Sequence, residues 1–289
     1  MENLESLQKI ESPENYNSKV AIHIFRHGEK EVAGTRPDFA IELTDQGRQQ
    51  AMDKSVPGTV VEQSVAFGSR RKRARQTAAF AMTGQLDKIN GDESLDQLYE
   101  KLDKNLKISS KIGIDYRLDF NIDFNSEYGK QVGLAMDNDQ LMTFLVEKSD
   151  DLASKLNDTE GLTYSRAAAN IAKILQKYLK VGERWNSIVK NGNYKSNTLE
   201  RFLGTHQGVL DSFLAKVIEK TKGKDELDKF LSAMNGAGFN LVEGFKVEII
   251  NQDNGQKVNI NYKKEKNGQK VYEFYEQVPE NIINEIAKG

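Results

Sequence analysis

The chain has 289 residues, 38% of them hydrophobic, enough for one sizeable core with an insertion. It has no cysteine, which excludes a disulfide framework, a thiolate nucleophile and cysteine-based zinc sites. A formal net charge of −2 gives no overall attraction to nucleic acid or to an acidic membrane surface, so neither is expected as a partner and local charge must select the ligand.

Residues 1–18 are polar and read as a loose lead-in without the basic and apolar regions of a secretory leader. No run of about twenty apolar residues follows, so no membrane span and a cytoplasmic chain are expected. Val20, Ile22, Ile24 and Phe25 then form a β-branched apolar run that suits a buried strand, with Gly28 punctuating its end. That strand delivers Arg26 and His27 to its carboxyl end, where wound α/β sheets bind ligands. Imidazole titrates near neutrality and a guanidinium holds phosphate or carboxylate through a planar fork, so the pair suits an anionic substrate. The alternative is a strand-end ion pair of Arg26 with Glu29 or Glu31.

A polar loop through Arg36 and Pro37 follows, in which Arg36 reads as solvated. Thr44 is the expected N-cap of a helix running to about Lys54. Val60-Val61 and Val65-Ala66-Phe67 supply a second strand, closed by Gly68-Ser69. Directly after it, Arg70, Arg71, Lys72, Arg73 and Arg75 crowd a helix opening, where cations oppose the helix dipole unless an anion sits among them. Main-chain N–H groups and Arg73 together would hold such an anion. Helical spacing puts Arg70, Arg73 and Thr77 on one face, which assigns Arg73, and less strongly Arg70, to the site and leaves Arg71, Lys72 and Arg75 solvated. The competing reading is a basic tract for nucleic-acid contact.

Three strings in this order, Arg26-His27-Gly28-Glu29, Leu43-Thr44-x-x-Gly47-x-x-Gln50-Ala51 and Ser69-x-x-x-Arg73-Ala74-x-Gln76-Thr77-Ala78, resemble the histidine phosphatase superfamily, also called phosphoglycerate mutase-like. The resemblance implies a second histidine late in the chain. His206 fits it, at the end of a strand in Phe202-Leu203-Gly204-Thr205-His206-Gln207; by itself His206 would read as a helix-cap imidazole. Gln207 and Arg70 are taken as substrate contacts. His23, about 13 Å from His27 along the strand, is too far to share a metal with it.

Residues 85–164 are the least family-like stretch and are expected to form a helical cap insertion within a single 1–289 domain, with apolar stripes at Leu95 to Leu106 and Leu141 to Leu156. Inside it, Ile112 to Asp119 resembles the strand leading to the family's proton donor. The branch without aspartate after the second histidine has a glutamate there; here the candidates are Asp119 first, then Glu100 and Glu127. Ser165 is expected to cap a helix through Tyr178, with Trp185 in a separate short one. Further on, strands near 245–250, 258–262 and 271–274 with turns at Asn254-Gly255 and Asn267-Gly268 form an antiparallel meander, closed by a terminal helix.

The fold expected is thus a three-layer α/β/α phosphoglycerate mutase-like fold with a mostly parallel central sheet. In it Arg26, Arg73 and His206 would act as three cations around a neutral His27 that attacks phosphorus, while Asp119 protonates the leaving alcohol. The resemblance implies no cofactor and no metal, and a small phosphorylated substrate. A phosphomonoesterase leads; a phosphomutase or a non-catalytic binder of phosphorylated ligands are the alternatives.

Overall fold

A computed structural model describes residues 17–106, 111–192 and 194–289; the lead-in before residue 17 lies outside them. The first strand, β1 (Ser18–Arg26), is buried on both faces. Val20, Ile22 and Ile24 enter the larger apolar cluster and Phe25 the smaller one on the opposite face, as the two-residue period of a strand requires. His23 shares the Phe25 face, stacked on Phe202 with ring centroids 4.9 Å apart and bonded to Glu200 at 2.7 Å.

Seven strands form one sheet in the order β3-β2-β4-β1-β5-β6-β7. β2 (Ser64–Gly68), β3 (Ile112–Ile114), β4 (Thr198–Thr205) and β1 are mutually parallel. β5 (Gly244–Gln252), β6 (Gly255–Lys266) and β7 (Gln269–Gln277) continue the sheet as an antiparallel meander. Asn267 and Gly268, with φ of 53° and 74°, supply the left-handed pair that a tight hairpin turn needs. Val61–Gln63 is a 3-10 turn rather than the start of β2, because the Ser64 hydroxyl folds back onto the Val60 carbonyl at 2.7 Å.

Helices cover both faces. α1 (Asp45–Met52), α2 (Lys72–Thr83) and α3 (Leu95–Leu106) lie on the Phe25 side. Thr44 caps α1 by accepting from the Gly47 N–H at 3.0 Å, as its sequence position suggests. After β3 come α4 (Glu127–Asp137), then α5 (Leu141–Phe144), a π turn over Leu145–Ser149 and α6 (Asp150–Lys155) as one continuous piece. Their buried residues Tyr128, Val132, Leu141 and Leu145 join the core of α7 (Tyr164–Lys190) and α8 (Leu210–Lys222), which explains the apolar stripes of that stretch. α7 is capped by Thr163, not Ser165, and runs unbroken past Trp185, because buried Ile171, Leu175, Tyr178, Leu179 and Trp185 keep one continuous packed face. α9 (Lys224–Ala233) and α10 (Glu280–Ile286) complete that layer. None of the described helices is long and apolar enough to cross a membrane.

Candidate active site

The parallel pair β1 and β4 ends in register: the His27 N–H donates to the Thr205 carbonyl at 2.9 Å, and the His27 and His206 rings stand 5.1 Å apart, centroid to centroid, at 65°. α2 closes on them because two glycines admit its backbone. A Cβ on Gly204 would lie 1.9 Å from the Ala74 carbonyl oxygen, and one on Gly68 2.6 Å from the Arg75 nitrogen. The Thr77 hydroxyl fixes the approach, accepting from the Gly28 N–H at 3.0 Å and donating to the Arg73 carbonyl at 2.9 Å. Arg73 Nε thereby stands 3.4 Å from His27 Nε2. The two imidazoles and the Arg73 guanidinium, far apart in sequence, thus meet at one place, and Arg26 is near enough for its charge to act on both rings.

His27 Nδ1 lies 2.8 Å from the Gly28 carbonyl, so it carries the proton and leaves Nε2 unprotonated, its lone pair accepting from Arg73 Nε–H. Burial, aided by Arg73, Arg26 and Lys30, pushes the imidazole down to about 3, against the Gly28 hydrogen bond that favours its charge. His206 is fully buried and held well below its ordinary value by that burial, then by His27, Arg71, Arg73 and Arg26. Both effects favour the neutral ring over the third cation expected from the sequence, since a charged imidazole beside those guanidiniums is costly. Ser69 Oγ sits 2.7 Å from His206 Nε2 and accepts from the Arg71 N–H at 3.2 Å. The buried hydroxyl is satisfied when its own proton goes to Nε2, which puts the ring proton of His206 on Nδ1.

The other expected contacts are rearranged. The first amides of the Ser69 to Arg73 stretch are taken by protein acceptors: Arg70 N–H by Asp119 Oδ1 at 2.8 Å, Arg71 N–H by Ser69 and Arg73 N–H by the Ile41 carbonyl at 3.1 Å. They do not form the main-chain anion cradle read from the sequence. The helix begins only at Lys72, with Arg71 in extended backbone, so the helical face that grouped Arg70 with Arg73 does not exist there. Arg70 turns away to pair with Asp119 and lie over Tyr116, 5.8 Å from the ring centre. Arg71, expected to be solvated, instead bonds Asp38 and donates Nη2 to the Phe120 carbonyl at 3.0 Å, joining the loop before α1 to the segment after β3. Lys72 likewise bridges Glu42 and Asp96, each at 3.1 Å.

Asp119 is buried with both oxygens on Arg70. The two residues line a cavity of about 480 Å³ with Arg166 and Lys173 that does not include His27. Phe120, the next residue, faces His206 with ring centroids 6.4 Å apart. Glu100 is exposed and paired with Lys104 on α3, and Glu127 is exposed at the start of α4, 3.7 Å from Lys130. Gln207 donates to the Ala237 carbonyl at 2.9 Å. Arg36 is paired with Glu31 and bonded to the Val32 carbonyl at 2.8 Å.

Asp38 was not singled out from the sequence. It accepts from Arg73 Nη2 at 3.0 Å, its carbonyl takes Arg73 Nη1 at 2.8 Å, and Arg71 binds the same carboxylate. Burial opposes its charge, but Arg73 and Arg71 outweigh it and hold the carboxyl down at about 2. Ser69, at the first position of the third sequence string, had a readable signal; Asp38, in an irregular loop, had none. Among the described residues no three histidine, aspartate or glutamate side chains group as metal ligands.

No family model matches the chain, and no curated protein matches it. Among solved structures the chain is similar to mycobacterial hydrolase 2, at 15% identity and a TM-score of 0.45 over 94% of this chain and 97% of that one. It is similar to the mycobacterial glucosyl-3-phosphoglycerate phosphatase at 13% identity and 0.42, over 80% and 91% of the two chains. A phosphoserine phosphatase mutant from Entamoeba histolytica stands at 13% identity and 0.38, over 83% and 94%.

Proposed function

We propose that the chain is a histidine phosphatase: a phosphomonoesterase that acts through a phosphohistidine on His27 and needs no metal for charge balance. One observation carries the reading. A buried imidazole with an unprotonated Nε2 stands 3.4 Å from a guanidinium and 5.1 Å, ring to ring, from a second imidazole, within the field of a further, half-buried arginine. Its protonation is opposed by burial and by three cations, so at neutral pH it is a nucleophile without needing a base.

In the first half-reaction His27 Nε2 attacks phosphorus in line as the bond to the leaving oxygen breaks. Arg26, Arg73 and the Nδ1–H of a neutral His206 take the charge on the equatorial oxygens. Two guanidiniums and a neutral donor then serve where three cations were expected. Asp119 is assigned the leaving-group proton, with Arg70 swinging off it toward the substrate; unliganded geometry is commonly looser than the reactive one. Water then attacks phosphorus as the P–N bond breaks, gives its proton to Asp119 and returns His27 neutral. Arriving phosphate displaces Asp38 from Arg73. The 116–162 stretch, which brings Asp119 and Phe120 to this end of the sheet, is assigned the choice of leaving group.

The test is turnover of p-nitrophenyl phosphate, unaffected by chelator and abolished in His27→Ala. Binding of phosphate without turnover in the unaltered protein would replace this reading with that of a phosphate-ligand binder.

A further inference from the structure

Arg26 is held from behind by a carboxylate that the reaction above does not use. Asp211 lies in the first turn of α8 with no solvent exposure. Its Oδ2 accepts the Phe239 N–H at 3.0 Å, and the carbonyl of that same Phe239 accepts Arg26 Nη1. Asp211 Oδ1 is buried without a partner, and so is Arg26 Nε. The chain between them is shaped around the carboxylate: Gly238 has φ of +116°, and a Cβ there would fall 2.3 Å from Asp211 Oδ2.

A buried carboxylate with an open oxygen is costly unless positive charge faces it, and the same holds for a buried guanidinium with an open N–H. Arg26 and Asp211 each feel the other's charge. Glu243 also acts on Arg26, but its oxygens already accept from Lys264 at 2.9 Å and from Tyr262. Gln207, the other polar side chain near the Gly238 turn, is spent on Ala237. Asp211 is thus the counter-charge left for Arg26.

On the reading of Arg26 as an oxyanion ligand, we infer that Asp211 is a positioning residue: through the Phe239 peptide and through its charge it fixes the Arg26 guanidinium so that its free N–H groups face the phosphoryl oxygens at His27. Burial raises this carboxyl to about 6, against the main-chain N–H groups of Phe239 and Asp211, the charge of Arg26 and the Gly208 main chain.

The decisive experiment is a double-mutant cycle in the full chain. Asp211→Asn keeps the volume and an acceptor for the Phe239 N–H but removes the charge. Alone it should lower kcat/KM for p-nitrophenyl phosphate by about tenfold or more, and in an Arg26→Gln background by less than about twofold, because coupled residues are not additive. Equal factors in both backgrounds, or no loss in the first, would overturn the assignment. The same cycle read by calorimetry on inorganic phosphate requires no turnover, so a chain that binds without hydrolysing refutes the phosphatase reading and leaves this one standing or falling by itself. Should Asp211→Asn not fold, the unaltered protein decides. Its ¹⁵N-labelled Arg26 Nε–H resonance should shift with a midpoint near pH 6. A resonance that stays put across that range would overturn the inference.

Discussion

Replacing Gly204 by alanine perturbs the site without touching any group that meets substrate. The new Cβ would stand 1.9 Å from the Ala74 carbonyl oxygen and 2.8 Å from its carbon. Ordinary contact requires the first turn of α2 to retreat by more than about 1 Å, and Arg73 is the residue before Ala74. Its Nε, 3.4 Å from His27 Nε2, retreats with it. A misplacement of that size costs about a hundredfold in rate, and overpacking of a buried strand costs about 1–3 kcal/mol in stability. The assay is kcat/KM on p-nitrophenyl phosphate at a temperature where melting shows the variant fully folded. Wild-type turnover from a folded Gly204→Ala protein would refute the claim that the helix approach at this glycine places Arg73.

Four other outcomes rest on the same geometry. Asp38→Asn removes the anion that occupies Arg73, and since that side chain is about half exposed, a contribution of about 0.2–1 kcal/mol should appear as a KM lowered up to about fivefold; a raised KM would make Asp38 an orienting group instead. Arg71→Ala unties Asp38 from the Phe120 carbonyl, so KM should rise with kcat little changed, and unaltered kinetics would return Arg71 to the solvated surface. Asp119→Asn should slow release of a poor leaving alcohol far more than that of p-nitrophenol, whose leaving needs little proton assistance; equal slowing would remove Asp119 from proton transfer. An unfolded histidine takes up a proton below about pH 6.5 while folded His27 does so only near 3, so the folded state loses stability as pH falls through that window, by up to about 1.4 kcal/mol per unit. His206 acts in the same direction. Urea midpoints should therefore fall less steeply with acid in His27→Asn than in the unaltered chain.

Much of this site was readable because its residues are tied to regular structure. The apolar run before Arg26 and the one before His206 each make a buried strand, and adjacent parallel strands in register bring the residues at their carboxyl ends together. Arg73 and Thr77 are one helical turn apart inside α2, so spacing alone put them on one face. The same rule failed two residues upstream. Arg71 precedes the helix in extended backbone, so helical spacing does not reach it or Arg70, and Arg71 is tied to Asp38 and Phe120 where a solvated side chain was expected. Asp38 was out of reach for another reason: it meets Arg73 across 35 residues through an irregular loop, and no periodicity encodes such a return. The downward pull on His206 comes first from burial, which depends on Phe120 and on the turn before α2 as much as on the histidine itself.

The most direct trial of the central claim is to mix the protein with a phosphomonoester, quench the mixture and locate any phosphoryl group on the chain by ³¹P NMR and peptide mapping. One acid-labile, base-stable phosphoryl group on His27, absent from His27→Ala and formed more slowly in Arg73→Ala, is the result expected. A phosphoryl group on His206, or hydrolysis that proceeds in His27→Ala, would contradict it.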